Sequence, residues 1–343
     1  METITAPAVA TAAPTGARPS ARRQLAAWLA GISLAGVTLV LACRALNTDA
    51  VTPVPQLLAF LPWLLLPAGT ALLLAALARW RVGMAWGAVA VAVTAWFMQP
   101  YGAADTPSAP PVAHLRVLTS NVEFGQATEE LLATIRRERP DLVFVQECDL
   151  GCGKALRDRA DYPHHHIVQA TGAEGSAILS RYPLKTAEGV PGTLSMPGAV
   201  VEIEGHQVRL QLAHPMPPMP GDLGIWRSEL AALRDYAARD GRTPTILAGD
   251  FNASQDHAAF RRILDTGLRD STRLAGGSRT PSWPSASAPP LGAQIDHVLV
   301  SKDFSARATR FLDLPNTDHR SLLADLTLHT PHATLHTPHA PKA

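Results

Sequence analysis

Charge is what this sequence has least of. Only 17% of its 343 residues are Asp, Glu, Lys or Arg, and the formal net charge is +1. That balance disfavours a strongly basic nucleic-acid binder, because phosphate-backbone affinity needs a clustered positive surface. The shortage is also uneven. Residues 1–111 carry 6 of the 30 Lys and Arg, 3 of the 29 Asp and Glu and none of the 13 His, yet 5 of the 7 Trp. A chain soluble along its whole length is therefore disfavoured as well. Residues 112–343 hold 24 basic and 26 acidic groups, a net of −2. Cysteine is scarce too, with three copies. Cys43 reads as a small apolar residue. Cys148 and Cys152 have no second ligand pair at a suitable spacing, which argues against zinc. A bridge between them and two separate thiols both fit the sequence.

Long uncharged runs fill the N-terminal third. They cover Gln24–Cys43, Ala50–Ala78 and Val82–Ala104, with 20, 29 and 23 residues. A bilayer core takes roughly 20 apolar residues as helix, so the expectation is three transmembrane helices within residues 21–104. Arg18, Arg22, Arg23, Arg79 and Arg81 flank these runs on one side. By the positive-inside rule the N-terminus is cytoplasmic and everything after about Tyr101 extracytoplasmic, which makes a multi-pass protein of the cell membrane. Residues 1–20, rich in Ala, Pro and Thr, read as disordered, and 105–113 as a Pro/Ala linker. The repeat TLHTPHA at 327–333 and 334–340 makes residues 329–343 a His/Pro-rich tail.

From Leu115 onward, strand-like and helix-like segments alternate. LRVLTSN, DLVFVQE, SAILSRYPL, QVRLQLAHP, TPTILAGDFN and AQIDHVLVS read as strands. TEELLATIRRERP, 222–239 and 256–265 read as helices, and 321–328 as a closing strand. Several strands end abruptly in polar residues, which puts Asn121, Glu123, Glu147, His214, Asp250, Asn252, Asp296, Asp318 and His319 along one rim. His297 belongs to the opposite face by strand alternation. Two metal ligands in the run His164–His166 would have to sit on opposite faces, so that run reads as surface strand.

GDFN, ID before an apolar strand, the late DH, GSAILSRYPL and the TPSWPS loop together resemble the endonuclease/exonuclease/phosphatase superfamily over residues 114–328. The resemblance implies a four-layer α/β sandwich, with two mixed β-sheets packed face to face and flanked by helices. It also implies a divalent-metal-dependent phosphoesterase. Glu147 would be the principal metal ligand, with Asn121, Asp318 and Glu123 nearby. Mg²⁺ suits such oxygen ligands, and Mn²⁺ suits them too. Asp250 would orient or deprotonate the attacking water, and Asn252 would hold the water or a phosphoryl oxygen. His319 paired with Asp296 would bind or protonate the phosphate, and His214 would donate to a phosphoryl oxygen.

Membrane runs followed by such a domain look like bacterial VanJ-like proteins of the glycopeptide-resistance type. For those the implied substrate is a lipid pyrophosphate, undecaprenyl pyrophosphate, with the lipid membrane as the partner and no obligate protein partner. Three other readings stand beside it, one of them a phospholipid or sphingomyelin phosphodiesterase of the same chemistry. An extracytoplasmic nuclease would use a basic groove, for which Arg261, Arg262, Arg269, Arg273 and Arg279 form a local cluster. An inactive membrane-anchored binding protein would have no need of the intact acids and imidazoles. Glu147→Ala and His319→Ala should each abolish phosphate release while the far-UV circular dichroism stays unchanged; activity retained in both would refute this choice of residues.

Overall fold

The computed structural model describes residues 20–239, 241–287 and 290–330. The expected disordered start and all but the first residues of the histidine-rich tail lie outside them. The N-terminal third is helical: α1 (Ala21–Ala45), α2 (Val54–Ala59), a 3-10 turn over Leu61–Leu64, α3 (Leu65–Leu77) and α4 (Arg81–Phe97). Leu34, Val37, Leu41, Ala68, Ala71, Ala75 and Ala90 pack these helices together. Their outer faces stay apolar, with Trp28, Ile32, Leu39, Leu66, Val82 and Trp96 all exposed.

The three uncharged runs do not become three crossing helices. Among the described residues only α1 is long and apolar enough to cross a membrane, its 25 residues spanning about 37 Å. Proline breaks the second run. Pro53 and Pro55 sit at the start of α2, where a helix has no use for their N–H, but Pro62 lacks the N–H that a continuous helix would need, so α2, the 3-10 turn and α3 replace one rod. The third run stops at Phe97, leaving α4 with 17 residues.

The rest of the described chain is β1 (Pro111–Asn121), α5 (Thr128–Glu138), β2 (Leu142–Gln146), α6 (Leu150–Arg159), β3 (His164–Val168), β4 (Ser176–Ser180), β5 (Leu184–Val190), β6 (Met196–Ile203), β7 (His206–Ala213), α7 (Leu223–Ala238), β8 (Thr245–Asp250), α8 (Ala258–Leu264), β9 (Arg269–Asp270), α9 (Ser271–Leu274), β10 (Asp296–Val300), β11 (Phe304–Asp313) and β12 (Arg320–His329). Two six-stranded sheets result, ordered β11-β12-β1-β2-β4-β3 and β5-β6-β7-β8-β10-β9. Both are mixed, because β1/β2 and β7/β8 run parallel while the other pairs are antiparallel.

Side-chain alternation builds the layers. Leu115, Val117, Leu142, Phe144, Ile246, Ala248, Val298 and Val300 meet between the sheets. Leu118, Val143 and Val145 turn outward onto α5 and α6. Leu247 and Leu299 turn outward onto α7 and α8. The result is an α/β sandwich of two mixed sheets flanked by helices. Cys148 and Cys152 form a disulfide across the start of α6, with Cα atoms 5.2 Å apart.

The helical third is fastened to the sandwich rather than tethered beside it. Asp49, buried in the α1–α2 loop, accepts the Ala259 N–H at 2.8 Å. His257 Nε2 donates to the Pro55 carbonyl at 2.8 Å. Asp256 is fully buried between Arg44 of α1 and Arg279, and Arg279 also donates to the Phe97 and Met98 carbonyls. Arg261 reaches Asn47 Oδ1 at 2.6 Å, while Arg269 donates to the Asp105, Ser301 and Phe304 carbonyls. Most of the arginine cluster is thus spent inside the molecule. Replacing Asp256 with Ala leaves the Arg44 and Arg279 guanidinium groups without this counter-ion at the seam. That should cost about 3–5 kcal/mol, read as a lower unfolding midpoint of the full chain in detergent.

Candidate active site

Six strand ends converge at one end of the sandwich. Asn121 closes β1, Glu147 follows β2, His214 follows β7, Asp250 closes β8, Asp296 opens β10 and His319 precedes β12. Asp250 continues the inward face of Ile246 and Ala248, and Asp296 that of Val298 and Val300. The apolar core therefore turns polar at its rim. Close strand approach helps to set this geometry. At Gly249 φ is +155°, and a Cβ would lie 2.0 Å from the Ala213 carbonyl oxygen, so GDFN needs its glycine. Glu147 and Asn252 adopt left-handed φ of 54° and 47°, and Glu123 adopts 44°, which bends each chain sharply out of its strand.

Asp250 and Asp296 are direct partners across β8 and β10, and both are buried. His319 lies between them. Its Nδ1 donates to Asp296 Oδ2 at 2.9 Å, and its Nε2 faces Asp250 Oδ2 at 3.6 Å and Asp318 Oδ1 at 3.8 Å. Burial alone would pull the His319 imidazole down, but Asp296 and Asp250 outweigh it and raise its pKa to about 10. Burial pushes Asp250 up, against the opposing pull of His319. His214, fully buried with His319 nearby, is driven down to about 3.

The second group is more open. Glu147 Oε1 accepts from Asn121 Nδ2 at 2.9 Å and lies 3.8 Å from His214 Nε2, while Oε2 accepts the Phe124 N–H at 3.2 Å. Burial raises the Glu147 carboxyl although the Asn121 bond opposes it. Asn121 Nδ2 is also 3.3 Å from Asp250 Oδ2, and its Oδ1 accepts the Glu123 N–H at 3.0 Å. The amide thus turns its nitrogen to two carboxylates and its oxygen to the backbone. Glu123 Oε2 accepts the Asp318 N–H at 2.8 Å, joining these two loops. Asn252 donates its backbone N–H to Asp250 Oδ1 at 2.8 Å and its side-chain amide to the Pro215 carbonyl at 3.0 Å.

All nine residues expected at the rim therefore gather in one connected network, whereas His297 does not. Its ring faces Phe251 and Phe260 and bonds to Asp270 at 2.6 Å, on the outward face. His164–His166 lie on edge strand β3, away from the network. Two supports escape a sequence reading. Thr317 Oγ1 donates to the Asn121 carbonyl and accepts the His319 N–H, at 2.9 and 3.1 Å. Trp283 Nε1 donates to Asp318 Oδ2 at 2.8 Å. Their only sequence signals are a Thr just before the DH pair and the Trp of the TPSWPS loop.

The donor set fits a hard divalent cation. Asp250, Asp296 and His319 bring possible ligand atoms within 4.8 Å of one another, but a His319 kept protonated by its two carboxylate neighbours cannot ligate, which leaves the carboxylates as the donors. Asp296 Oδ1 and His214 Nδ1 are buried without a partner among the described residues. Carboxylate oxygens at a mouth open through Asp318 are the ligands such ions take.

Residues 118–319, more than half of the chain, match the Endonuclease/Exonuclease/phosphatase family, and the chain belongs to that family. Members of this family are in general hydrolases of phosphoester bonds and commonly use divalent metals. Solved structures share the fold. An endonuclease/exonuclease/phosphatase from Beutenbergia cavernae is 20% identical over 64% of this chain and 72% of its own, with a TM-score of 0.52. One from Bacteroides vulgatus is 17% identical over 63% and 100%, with a TM-score of 0.52. D. rerio TDP2, complexed with a single-strand DNA product, is 15% identical over 62% and 99%, again with a TM-score of 0.52. A comparison with curated protein sequences finds no match.

A raised folded pKa makes the His319 contribution to stability full below pH 6.5 and lost as pH climbs through about 10. Imidazole ¹⁵N shifts of the metal-free protein should show His319 still protonated at pH 8, with His214 neutral down to pH 4.

Proposed function

We propose that this chain is a membrane-attached, divalent-metal-dependent phosphoesterase that acts on a lipid-borne phosphate. A lipid pyrophosphate such as undecaprenyl pyrophosphate is the preferred substrate, in the manner of the VanJ-like type. One observation carries the reading: the loops that grip the apolar helices are continuations of the loops that bear the site. His214 leads into Pro218, whose carbonyl accepts from Gln56. Asp250 and Asn252 lead into the segment 254–261, which binds Asn47, Asp49 and Pro55. A substrate phosphate at this rim therefore lies beside an exposed apolar surface, and exposed apolar surface of that extent marks membrane contact. The Cys148–Cys152 disulfide supports an extracytoplasmic site, where such bonds persist.

Glu147 and Asp318 are the residues that would hold Mg²⁺ or Mn²⁺, because Asp296 and His319 already engage each other. When bound there, such an ion would neutralise charge on the phosphoryl oxygens. The chain's own groups do the rest. Asp250, with its raised pKa, takes a proton from the attacking water, and Asn252 Nδ2, anchored on Pro215, fixes the turn that aims it. His319, charged and held by Asp296, donates to a phosphoryl or leaving oxygen. His214, neutral, donates a hydrogen bond without adding charge.

A nuclease reading draws on the DNA held by D. rerio TDP2, but the arginines that would form its groove are largely occupied at the helical seam. The deciding assay is Mg²⁺-dependent phosphate release by the full chain in detergent, with undecaprenyl pyrophosphate and plasmid DNA run side by side. Orthophosphate from the lipid with intact DNA is expected, and Glu147→Gln should lower its rate by about 10²–10⁴-fold. Nicked DNA with untouched lipid would overturn the reading.

A further inference from the structure

The helical third reaches the site itself at one point. Phe60, between α2 and the 3-10 turn, places its ring 6.2 Å from that of Trp283, with the planes tilted by 50°. Trp283 in turn hydrogen-bonds Asp318, so a single indole spans from the apolar helices to a carboxylate of the phosphoesterase network. Both rings are only partly buried. The surrounding surface has the same character. Leu57 of α2 and Leu291 of the Trp283 loop expose 40% of their surface, and Met219, beside the Gln56 contact, exposes 51%. The other large apolar side chains exposed in the described part of the sandwich are Phe124, Leu150 and Ile225, and Phe124 flanks Glu147.

We propose that Phe60 and Trp283 together form a seat for the apolar chain of the substrate next to its phosphate, so that the helical third takes part in recognition as well as attachment. The proposal rests on the lipid-phosphate reading and makes it specific: the enzyme selects phosphoesters by the apolar segment adjoining the scissile group. An aromatic pair whose far edge is hydrogen-bonded into the site fixes the distance between apolar chain and phosphoryl group. Leu57, exposed on the α2 that leads into Phe60, gives the rest of a long chain an apolar place to start. Aromatic stacking on a nucleobase would use the same rings, but the acidic balance of residues 112–343 and the internally spent arginines leave little to hold a polyanion.

Chain-length preference is the test. For the full chain in detergent, kcat/KM is measured on undecaprenyl pyrophosphate and on isopentenyl pyrophosphate, with plasmid DNA as a third arm. Phe60→Ala should reduce the long-to-short preference roughly tenfold, with the loss in KM. Phe60→Leu, which keeps an apolar group there, should restore most of it and guards against misfolding. Trp283→Phe keeps the ring but removes the Asp318 hydrogen bond, so kcat should fall on both esters while the preference largely survives. If the wild type hydrolyses the lipid and Phe60→Ala keeps its full preference, the seat is wrong and the lipid reading stands. If the wild type is inert toward the lipid, or cuts DNA instead, both fall together.

Discussion

Two carboxylates directly opposite each other on adjacent strands repel, and the site end of this sandwich is organised around that constraint. Asp250 and Asp296 are cross-strand partners in a buried register, where like charges are destabilising. His319 relieves the conflict by bringing a positive charge between them, and Thr317 and Asp296 hold it in place. The same arrangement gives the groups different states. Asp250 is left with a raised pKa, His319 protonated by its two carboxylate neighbours, and His214 neutral. Packing thus gives groups of one residue type different protonation behaviour, set by environment rather than by chemistry of the side chain.

The seam between helices and sandwich obeys a second electrostatic rule. Burying Asp256 is tolerable only with a cation beside it, and Arg44 and Arg279 approach it from the two sides of the junction. Backbone carbonyls of Phe97 and Met98, left over where α4 ends, accept from Arg279, and the Pro55 carbonyl at the start of α2 accepts from His257. Such a contact orients the helical third. It brings the α1–α2 loop and α2 against the loop that follows Asp250 and Asn252.

Much of the sandwich was legible because strand burial writes itself into sequence with a period of two. β1, β2, β4, β7, β8 and β10 appeared as apolar runs ending in polar residues, and α5, α7 and α8 as amphipathic segments. β5 and β11 were not legible, because much of each is exposed and their sequences alternate poorly. α6 was hidden as well: its glycines and cysteine give no helical period, and its start depends on Asp149 capping Cys152 N–H. The apolar runs of the N-terminal third were visible, but their length was misleading. Composition reports that a segment is apolar; whether it is one rod depends on where each proline falls in the hydrogen-bond ladder.

The sequence by itself determined the chemistry on offer: acids, amides and imidazoles placed directly after buried strands, in an order that identifies the family. It also determined that the first third must cover apolar surface, since so few charged groups are available there. Only the tertiary structure decided what those groups do to one another. Asn121 turns its nitrogen rather than its oxygen toward the carboxylates, and Arg261, Arg262 and Arg279 face the helical seam instead of a groove. Trp283 connects Phe60 to Asp318. Each depends on residues dozens to hundreds of positions apart, and no local pattern records which of several hydrogen-bond partners a buried polar group will meet.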